Sequence, residues 1–196
     1  MLDALNSPAA PPAEIRREDY RPPEWRVPEI ALDFDFDPKR TVVRARLEVE
    51  RSGEHREPLR LNAEGLGLLS VRVDGAPAPY TYEDELLTIA IAGDRALVET
   101  EVEIAPAANT QLMGLYESGG NLCTQCEAEG FRRITPFPDR PDVLSRYSVR
   151  MSADKAAYPV LLSNGDPVGS GEIDGGRHWA EWRDPYPKPC YLFALV

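Results

Sequence analysis

The sequence is poor in the residues from which enzymes most often build a catalytic centre. It contains only two histidines and three cysteines among 196 residues. It has no His-Glu-x-x-His segment, no Gly-x-Ser-x-Gly segment and no glycine-rich phosphate loop. These absences exclude a zinc-peptidase centre, a serine-hydrolase elbow and a P-loop from the stretch of sequence in hand. We therefore expect no catalytic residue and no metal ligand in this chain.

Basic charge and long apolar runs are scarce as well. Lys and Arg total 22 against 33 Asp and Glu, which gives a formal net charge of -11. Nucleic-acid binding needs a basic face, so we expect no nucleic-acid partner. No apolar run approaches the roughly 20 residues of a membrane span, and the N-terminus lacks the pattern of a secretory signal. An odd number of cysteines argues against a disulfide framework, and together these features predict a cytoplasmic protein.

Prolines, in contrast, are abundant: there are 19, and they interrupt the chain too often for long helices. Residues 1–25 are rich in Pro and Ala, and we interpret them as a loosely attached N-terminal arm. Residues 26–196 are long enough for one β-domain with its own core. Apolar residues alternate with polar ones from Ile30 to Phe36 and again from Val43 to Val49. This period of two on both sides of a short turn predicts an antiparallel hairpin with one buried face.

Similar short apolar segments separated by turn residues continue along the chain. The only helical segment we expect is a short one near residues 131–139, which Pro136, Pro138 and Pro141 keep brief. The sequence therefore predicts an all-β fold: a saddle-shaped sandwich or open mixed sheets of many short strands. The further predicted strands are 59–61, 68–73, 86–91, 96–104, 146–151, 160–164, 169–173 and 177–182.

The last residues, Leu192 to Val196, form an apolar stretch without a polar tail. We interpret this stretch as a strand interrupted in its middle, and we expect a further segment after Val196 that packs on it. In the isolated chain, the region from Tyr191 to Val196 is then expected to expose an apolar patch.

Cys123-Thr124-Gln125-Cys126 is the most distinctive local motif. A zinc knuckle needs four ligands, and here Cys190 and His178 would have to complete the set. A redox motif requires a C-x-x-C at a helix N-terminus in a βαβ setting, which an all-β chain does not offer. The simplest interpretation is two cysteines of a strand that point into different environments.

Three polar residues occupy alternating positions that begin within this motif and continue after it: Gln125, Glu127 and Glu129. If this segment is extended, the three side chains project from one face. An amide and carboxylates on one face could receive a cationic group, such as a free α-ammonium, through charge-assisted hydrogen bonds. The alternative is an ordinary solvated face of a strand, and spacing alone does not separate the two.

Several longer segments of the sequence resemble one protein family. The stretch Leu122 to Thr135, followed by Asp139-Arg140-Pro141-Asp142, resembles the N-terminal domain of bacterial zinc aminopeptidases of the M1 (gluzincin) family. Further segments look like the same domain, and the resemblance covers nearly the whole chain from about Tyr20 onward. These segments are Arg21-Pro22-Pro23, Pro106 to Thr110, Gly114-Leu115-Tyr116, Leu162 to Gly165 and Pro185 to Val196.

The resemblance implies a saddle-shaped β-domain that precedes a thermolysin-like catalytic domain. It also implies that Glu127 binds the free α-amino group of a peptide substrate and that Gln125 assists it, while Glu129 has no assured role. The family's zinc ligands and its catalytic tyrosine belong to sequence after this domain. We therefore expect zinc in the parent enzyme only, bound by the catalytic domain, and no hydrolysis by this chain alone.

Two alternatives remain open at this stage. The chain could be a stand-alone β-sandwich module that binds peptides or cations. It could instead be a small structural zinc protein with Cys123, Cys126, Cys190 and His178 as ligands. The resemblance also leaves open whether the parent is catalytically active and which substrate side chains it prefers.

Overall fold

A computed structural model describes residues 16–196 of the chain. The predicted all-β fold is confirmed, since helical structure in this range is confined to four 3-10 turns of three residues each, at Arg17–Asp19, Pro106–Ala108, Phe131–Arg133 and Cys190–Leu192. Within residues 16–196, no helix has the length and apolar character needed to cross a membrane. The strands are β1 (Trp25–Asp35), β2 (Thr41–Arg51), β3 (Leu59–Asn62), β4 (Gly67–Val73), β5 (Ala76–Pro77), β6 (Tyr80–Glu83), β7 (Leu86–Ile89), β8 (Arg95–Ile104), β9 (Gly114–Ser118), β10 (Asn121–Gln125), β11 (Leu144–Asp154), β12 (Asp166–Ile173) and β13 (Arg177–Pro189).

The predicted first hairpin is formed by β1 and β2. Its strands pair antiparallel, with Leu32 opposite Ala45 and Phe34 opposite Val43. All four of these side chains are buried, whereas the residues between them face outward. Alternation predicts this hairpin correctly because only one face of the sheet meets the core.

Eight strands form the main sheet, in the order β12-β13-β11-β1-β2-β8-β4-β5. The sheet is mixed, because β1 and β11 run parallel while the other neighbours are antiparallel. Its solvent face carries a lattice of charges in which Arg44 pairs with Asp33 at 3.3 Å and with Glu101 at 3.0 Å. Asp33 of β1 and Glu101 of β8 therefore share an arginine partner on the strand between them.

Two small sheets cover the apolar face of the main sheet. One has the order β3-β7-β6, and the other is the ribbon of β9 and β10. The buried residues of all three sheets belong to one apolar cluster, which includes Leu61 of β3, Leu115 of β9 and Tyr147 of β11. The 3-10 turn Phe131–Arg133 adds the fully buried Phe131 to the same core. This turn confirms the predicted short helical segment, although it is confined to three residues.

Two of the predicted segments differ in the structure. Residues 160–164 are not a strand: Val160 and Leu162 are exposed, and the region contributes only one isolated bridge, Ser163 to Leu195. The C-terminal stretch likewise begins as a 3-10 turn and then joins Leu162 through two backbone hydrogen bonds of Val196. Both predictions rested on the apolar character of the residues alone. A strand also needs a neighbouring strand that pairs with its backbone groups, and neither segment has one.

The proposed N-terminal arm is described only in part, because residues 1–15 lie outside the described residues. Of the remainder, residues 16–24 lie at the surface, where the Tyr20 hydroxyl donates to Asp142 at 3.0 Å and Arg140 donates to the Arg21 carbonyl at 2.8 Å. Trp25, in contrast, is buried and begins β1. Arg140 also forms a two-pronged hydrogen bond with Asp142, which lowers the pKa of that carboxyl. These contacts attach residues 20–21 to the segment that precedes β11.

Candidate functional site

The segment Gln125 to Gly130 lies at one end of the β9–β10 ribbon. Strand β10 ends at Gln125, which pairs with Gly114 at the start of β9. The chain then makes a tight turn in which Glu127 and Glu129 are exposed, and the Glu127–Ala128 peptide bond is cis. We call residues 126–130 the Glu127 turn. The ribbon therefore presents Gln125 and Glu127 together at its end.

The segment is not extended beyond Gln125, so the condition for three side chains on one face of a strand is not met. The chain leaves the strand after Gln125, and the Gly130 N–H donates to the Cys126 carbonyl at 2.8 Å. The Gln125 side-chain amide donates to the Glu127 carbonyl at 3.0 Å. Gln125 therefore holds the backbone of Glu127 in place rather than lying beside its carboxylate along a strand.

Gly130 makes the turn possible because it packs directly against backbone. A Cβ atom at this position would lie 2.2 Å from the Gln125 carbonyl oxygen and 3.0 Å from the Gly114 nitrogen. No larger residue fits there without displacing main chain, since ordinary carbon contacts are about 3.5–4.0 Å. The close approach of Gly114, Gln125 and Gly130 fixes the turn against the ribbon.

A buried ion pair lies under the turn. The Asp139 carboxylate accepts hydrogen bonds from the Arg132 backbone N–H at 3.1 Å, from Arg132 Nε at 2.9 Å and from the Cys190 thiol at 2.9 Å. The Asp139 N–H in turn donates to the Asn62 side chain at 3.1 Å. The Asp139 side chain is 2% exposed, so its charge is stabilised by these partners and not by water.

The Glu127 carboxylate contrasts with Asp139. It lies at the surface, and it makes no ion pair with any residue in the range 16–196. Its neighbour Glu129 pairs with Arg132 at 3.2 Å. The turn therefore holds Glu127 on a well-packed backbone while its carboxylate remains available to accept hydrogen bonds from a cation.

Cys123 and Cys126 occupy different environments, as predicted, although Cys126 lies beyond the end of β10 and is not part of the strand. Cys123 is half-buried on β10 opposite Tyr116, and its hydrogen bond raises the pKa of that tyrosine. Cys126 and Cys190 are buried. Burial, together with the charge of Asp139, raises the pKa of the Cys126 thiol to about 12, and the pKa of Cys190 is raised for the same reasons. Both buried thiols are therefore protonated at neutral pH.

These pKa shifts predict how the thiols react and how stability changes at high pH. At pH 8 we expect iodoacetamide to label Cys123 well before Cys126 and Cys190, because only thiolates are nucleophilic. The raised folded-state pKa of Cys126 contributes stability that is fully present below its ordinary value of 9.0 and is lost between pH 9 and about 12. Peptide mass mapping and denaturation at a series of pH values measure the two effects. Rapid labelling of Cys126 in the folded protein would contradict this assignment.

The structure does not assemble the four ligands of the alternative zinc site. The His178 ring bonds to the Tyr158 carbonyl at 2.7 Å, and Cys190 bonds to Asp139. Residues 16–196 contain no group of three or more His, Cys, Asp or Glu side chains that could hold a metal ion. The other histidine, His55, is half-buried against the Trp25 ring. A metal does not fit the donor set of this part of the chain.

Sequence reasoning missed the residues beneath the turn. Arg132, Asp139 and Gly130 were not assigned a role from their pattern. A usable signal is present, because Arg132 and Asp139 are charged positions within a stretch where Phe131, Ile134 and Phe137 are all fully buried. Charges inside such a stretch are expected to pair with one another.

The fold and this turn define a class: an all-β domain of mixed sheets that presents an acidic turn at one end of a ribbon. Residues 27–192 match the family model described as the Peptidase M1 N-terminal domain, and the chain belongs to this family.

Similar proteins extend this finding. The chain is 58% identical over 188 residues to an Aminopeptidase N of Caulobacter vibrioides, covering 94% of this chain and 22% of that protein. A crystal structure of Legionella pneumophila aminopeptidase A in complex with aspartic acid superimposes with a TM-score of 0.86 at 34% identity, covering 91% of this chain and 22% of the other. An M1 zinc metallopeptidase of Deinococcus radiodurans, bound to a Tyr-Ser-Ala substrate, shares the fold with a TM-score of 0.75 at 16% identity, covering 88% and 42%. The chain thus spans about a fifth of the length of the aminopeptidase N that it matches.

Proposed function

We propose that this chain is the substrate-anchoring N-terminal domain of a zinc-dependent aminopeptidase. In this proposal residues 1–25 are an N-terminal arm, residues 26–196 are the β-domain, and a catalytic domain of the same polypeptide binds the zinc. Glu127 binds the free α-amino group of the peptide substrate, and Gln125 assists by holding the backbone of Glu127. The observation that carries the proposal is the exposed, unpaired Glu127 carboxylate on a turn fixed by backbone packing.

The chemistry of an exopeptidase accounts for such an anchor. A peptide N-terminus carries an ammonium group, whereas an internal peptide nitrogen is uncharged. Charge-assisted hydrogen bonds from an ammonium to a carboxylate contribute about 1.5–3 kcal/mol each. A carboxylate at a fixed distance from a hydrolytic centre therefore selects the terminal peptide bond over internal bonds.

The membership of the family and the names of its relatives support an aminopeptidase role. Relatives are named as aminopeptidases, and one as a zinc metallopeptidase with a bound peptide. The described residues lack a metal donor set, so we assign them substrate binding only and no step of hydrolysis. We further propose that the enzyme acts on peptides in the cytoplasm.

Neutralising Glu127 in the full-length polypeptide tests this function. We expect Glu127→Gln to lower kcat/KM for aminoacyl p-nitroanilides by about 10- to 150-fold, which corresponds to the loss of one charge-assisted hydrogen bond. Steady-state kinetics on free-amine substrates measures the effect. N-acetylated substrates should be poor for the wild type, and the variant should discriminate against them less.

Glu117→Gln is the matched control. Glu117 is an exposed glutamate of the same ribbon, three residues from Gly114 and hence about 10 Å from the Gln125 end. The Glu117→Gln substitution changes the net charge by the same amount as Glu127→Gln. Because Glu117 lies away from the anchor, its substitution should leave kcat/KM within about twofold of wild type. Wild-type kinetics for Glu127→Gln, or equal losses in both variants, would refute the anchor.

A further inference from the structure

We propose that Arg132 is a positioning residue for the substrate anchor: it connects the Glu127 turn to the buried carboxylate of Asp139 and so sets the place of Glu127. This inference rests on the proposed function. It adds a residue that does not contact the substrate and acts through the turn. The geometry that carries it is the set of contacts that the Arg132 side chain makes with Asp139 on one side and Glu129 on the other.

Several hydrogen bonds fix Arg132 to Asp139. Its backbone N–H and its Nε both donate to the same Asp139 oxygen, at 3.1 and 2.9 Å. Its Nη2 donates to the Asp139 carbonyl at 3.2 Å. The planar guanidinium is therefore held in one orientation, because its N–H donors point in fixed directions and two of them bond to Asp139.

Asp139 is itself immobilised from the core. Its second carboxylate oxygen accepts a hydrogen bond from the Cys190 thiol at 2.9 Å, and its N–H donates to the Asn62 side chain. Residue 62 belongs to β3 and residue 190 to the 3-10 turn after β13. Through Asp139, the orientation of Arg132 is thus fixed by two elements outside the ribbon, and both of these elements pack in the common core.

Arg132 also reaches the turn. The same Nη2 that donates to the Asp139 carbonyl contacts the Glu129 carboxylate at 3.2 Å, two residues from Glu127. An exposed ion pair of this kind usually contributes little, because both side chains must be ordered to form it. Here Arg132 is already ordered by Asp139, so only Glu129 loses conformational freedom. The pair can therefore restrict the turn more than an ordinary surface pair does.

This restriction bears on Glu127 because the turn is short and its tip is exposed. Gln125 fixes the near end of the turn through the Glu127 carbonyl, and Gly130 N–H closes it onto Cys126. Arg132 adds the third constraint, on the side of Glu129. A misplacement of about 1 Å at a positioning group can cost on the order of 100-fold in rate. Loss of the Arg132 contacts should therefore weaken substrate binding by the anchor.

A double-mutant cycle in the full-length polypeptide tests this inference. We expect Arg132→Gln to lower kcat/KM about tenfold, chiefly through a higher KM, when Glu127 is present. In the Glu127→Gln background the same substitution should change kcat/KM by less than about twofold, because no anchor remains to be positioned. Arg132→Lys keeps the charge but lacks the fork, so it should recover only part of the loss.

Arg133→Gln is the matched control. Arg133 lies in the same 3-10 turn and forms an ion pair with Glu64, yet that pair does not involve the Glu127 turn. It should lower thermal stability while leaving KM near wild type in both backgrounds. Should Arg132→Gln fail to fold, Asp139→Asn, which keeps the side-chain shape, replaces it in the cycle.

The outcomes separate this inference from the proposed function. Equal losses from Arg132→Gln in both backgrounds, or the same rise in KM from Arg133→Gln, would show that Arg132 acts only on the fold and would overturn the inference. Wild-type kinetics for Glu127→Gln would overturn the proposed function itself, and the inference with it. A loss that appears only when Glu127 is present supports both.

Discussion

Gly130→Ala is expected to destabilise the domain by about 3 kcal/mol or more and to displace the Glu127 turn. The added Cβ would lie 2.2 Å from the Gln125 carbonyl oxygen, 2.9 Å from the Cys126 Cα and 3.0 Å from the Gly114 nitrogen. All three atoms belong to the main chain, so no flexible side chain can move aside. Relief of the overlap requires β10 to separate from β9 or the turn to open.

Urea denaturation gives the change in the free energy of unfolding, and Gly119→Ala provides the comparison. Gly119 lies in the same ribbon and has a φ of 59°, but nothing lies within 4 Å of its added Cβ. Its substitution should cost only the left-handed backbone penalty of about 1–2 kcal/mol. Similar losses at the two positions would contradict the role of close packing at Gly130. In the full-length polypeptide, Gly130→Ala should also lower kcat/KM, because the anchor moves with the turn.

The fold was predictable from the sequence where a strand has one buried face and one solvent-exposed face. The period of two in β1 and β2 identifies the hairpin because each strand buries every second side chain. The parallel pairing of β1 with β11 has no such signal, since more than 100 residues separate Leu32 from its partner Val149. Residues 160–164 show the opposite error. There an apolar run suggested a strand, but its backbone finds a partner only at the C-terminal segment.

The site was predictable in part, and from a different kind of information. Gln125 and Glu127 were identified through resemblance to a family, while spacing alone left a solvated strand face as the alternative. Spacing would place the three side chains on one face only in an extended segment, and the segment turns instead because Gly130 lets the chain fold back over Cys126. The Arg132–Asp139 pair depends on groups that are distant in sequence, Asn62 and Cys190. Such long-range contacts do not appear in any local pattern.

Phe193→Ala is expected to cost about 3–5 kcal/mol of the free energy of unfolding. The Phe193 ring is 3% exposed and contacts three aromatic rings: its centroid lies 5.2 Å from that of Phe131, 5.8 Å from Tyr147 and 6.3 Å from Phe34. These partners come from the turn after β10, from β11 and from β1. Truncation leaves a cavity between three elements, and packed strands cannot collapse into it.

Leu192→Ala is the control for this prediction, because Leu192 is the adjacent residue and is 49% exposed. Its truncation should change stability by less than about 1 kcal/mol. The contrast also refines the apolar patch expected at the C-terminus: Leu192 and Val196 face outward, whereas Phe193 and Leu195 face the core. Equal effects of the two substitutions in urea denaturation would mean that the segment is not docked as described. A large effect of Phe193→Ala alone would show that this segment closes the core beneath the Glu127 turn, since Phe131 directly follows that turn and packs on the Phe193 ring.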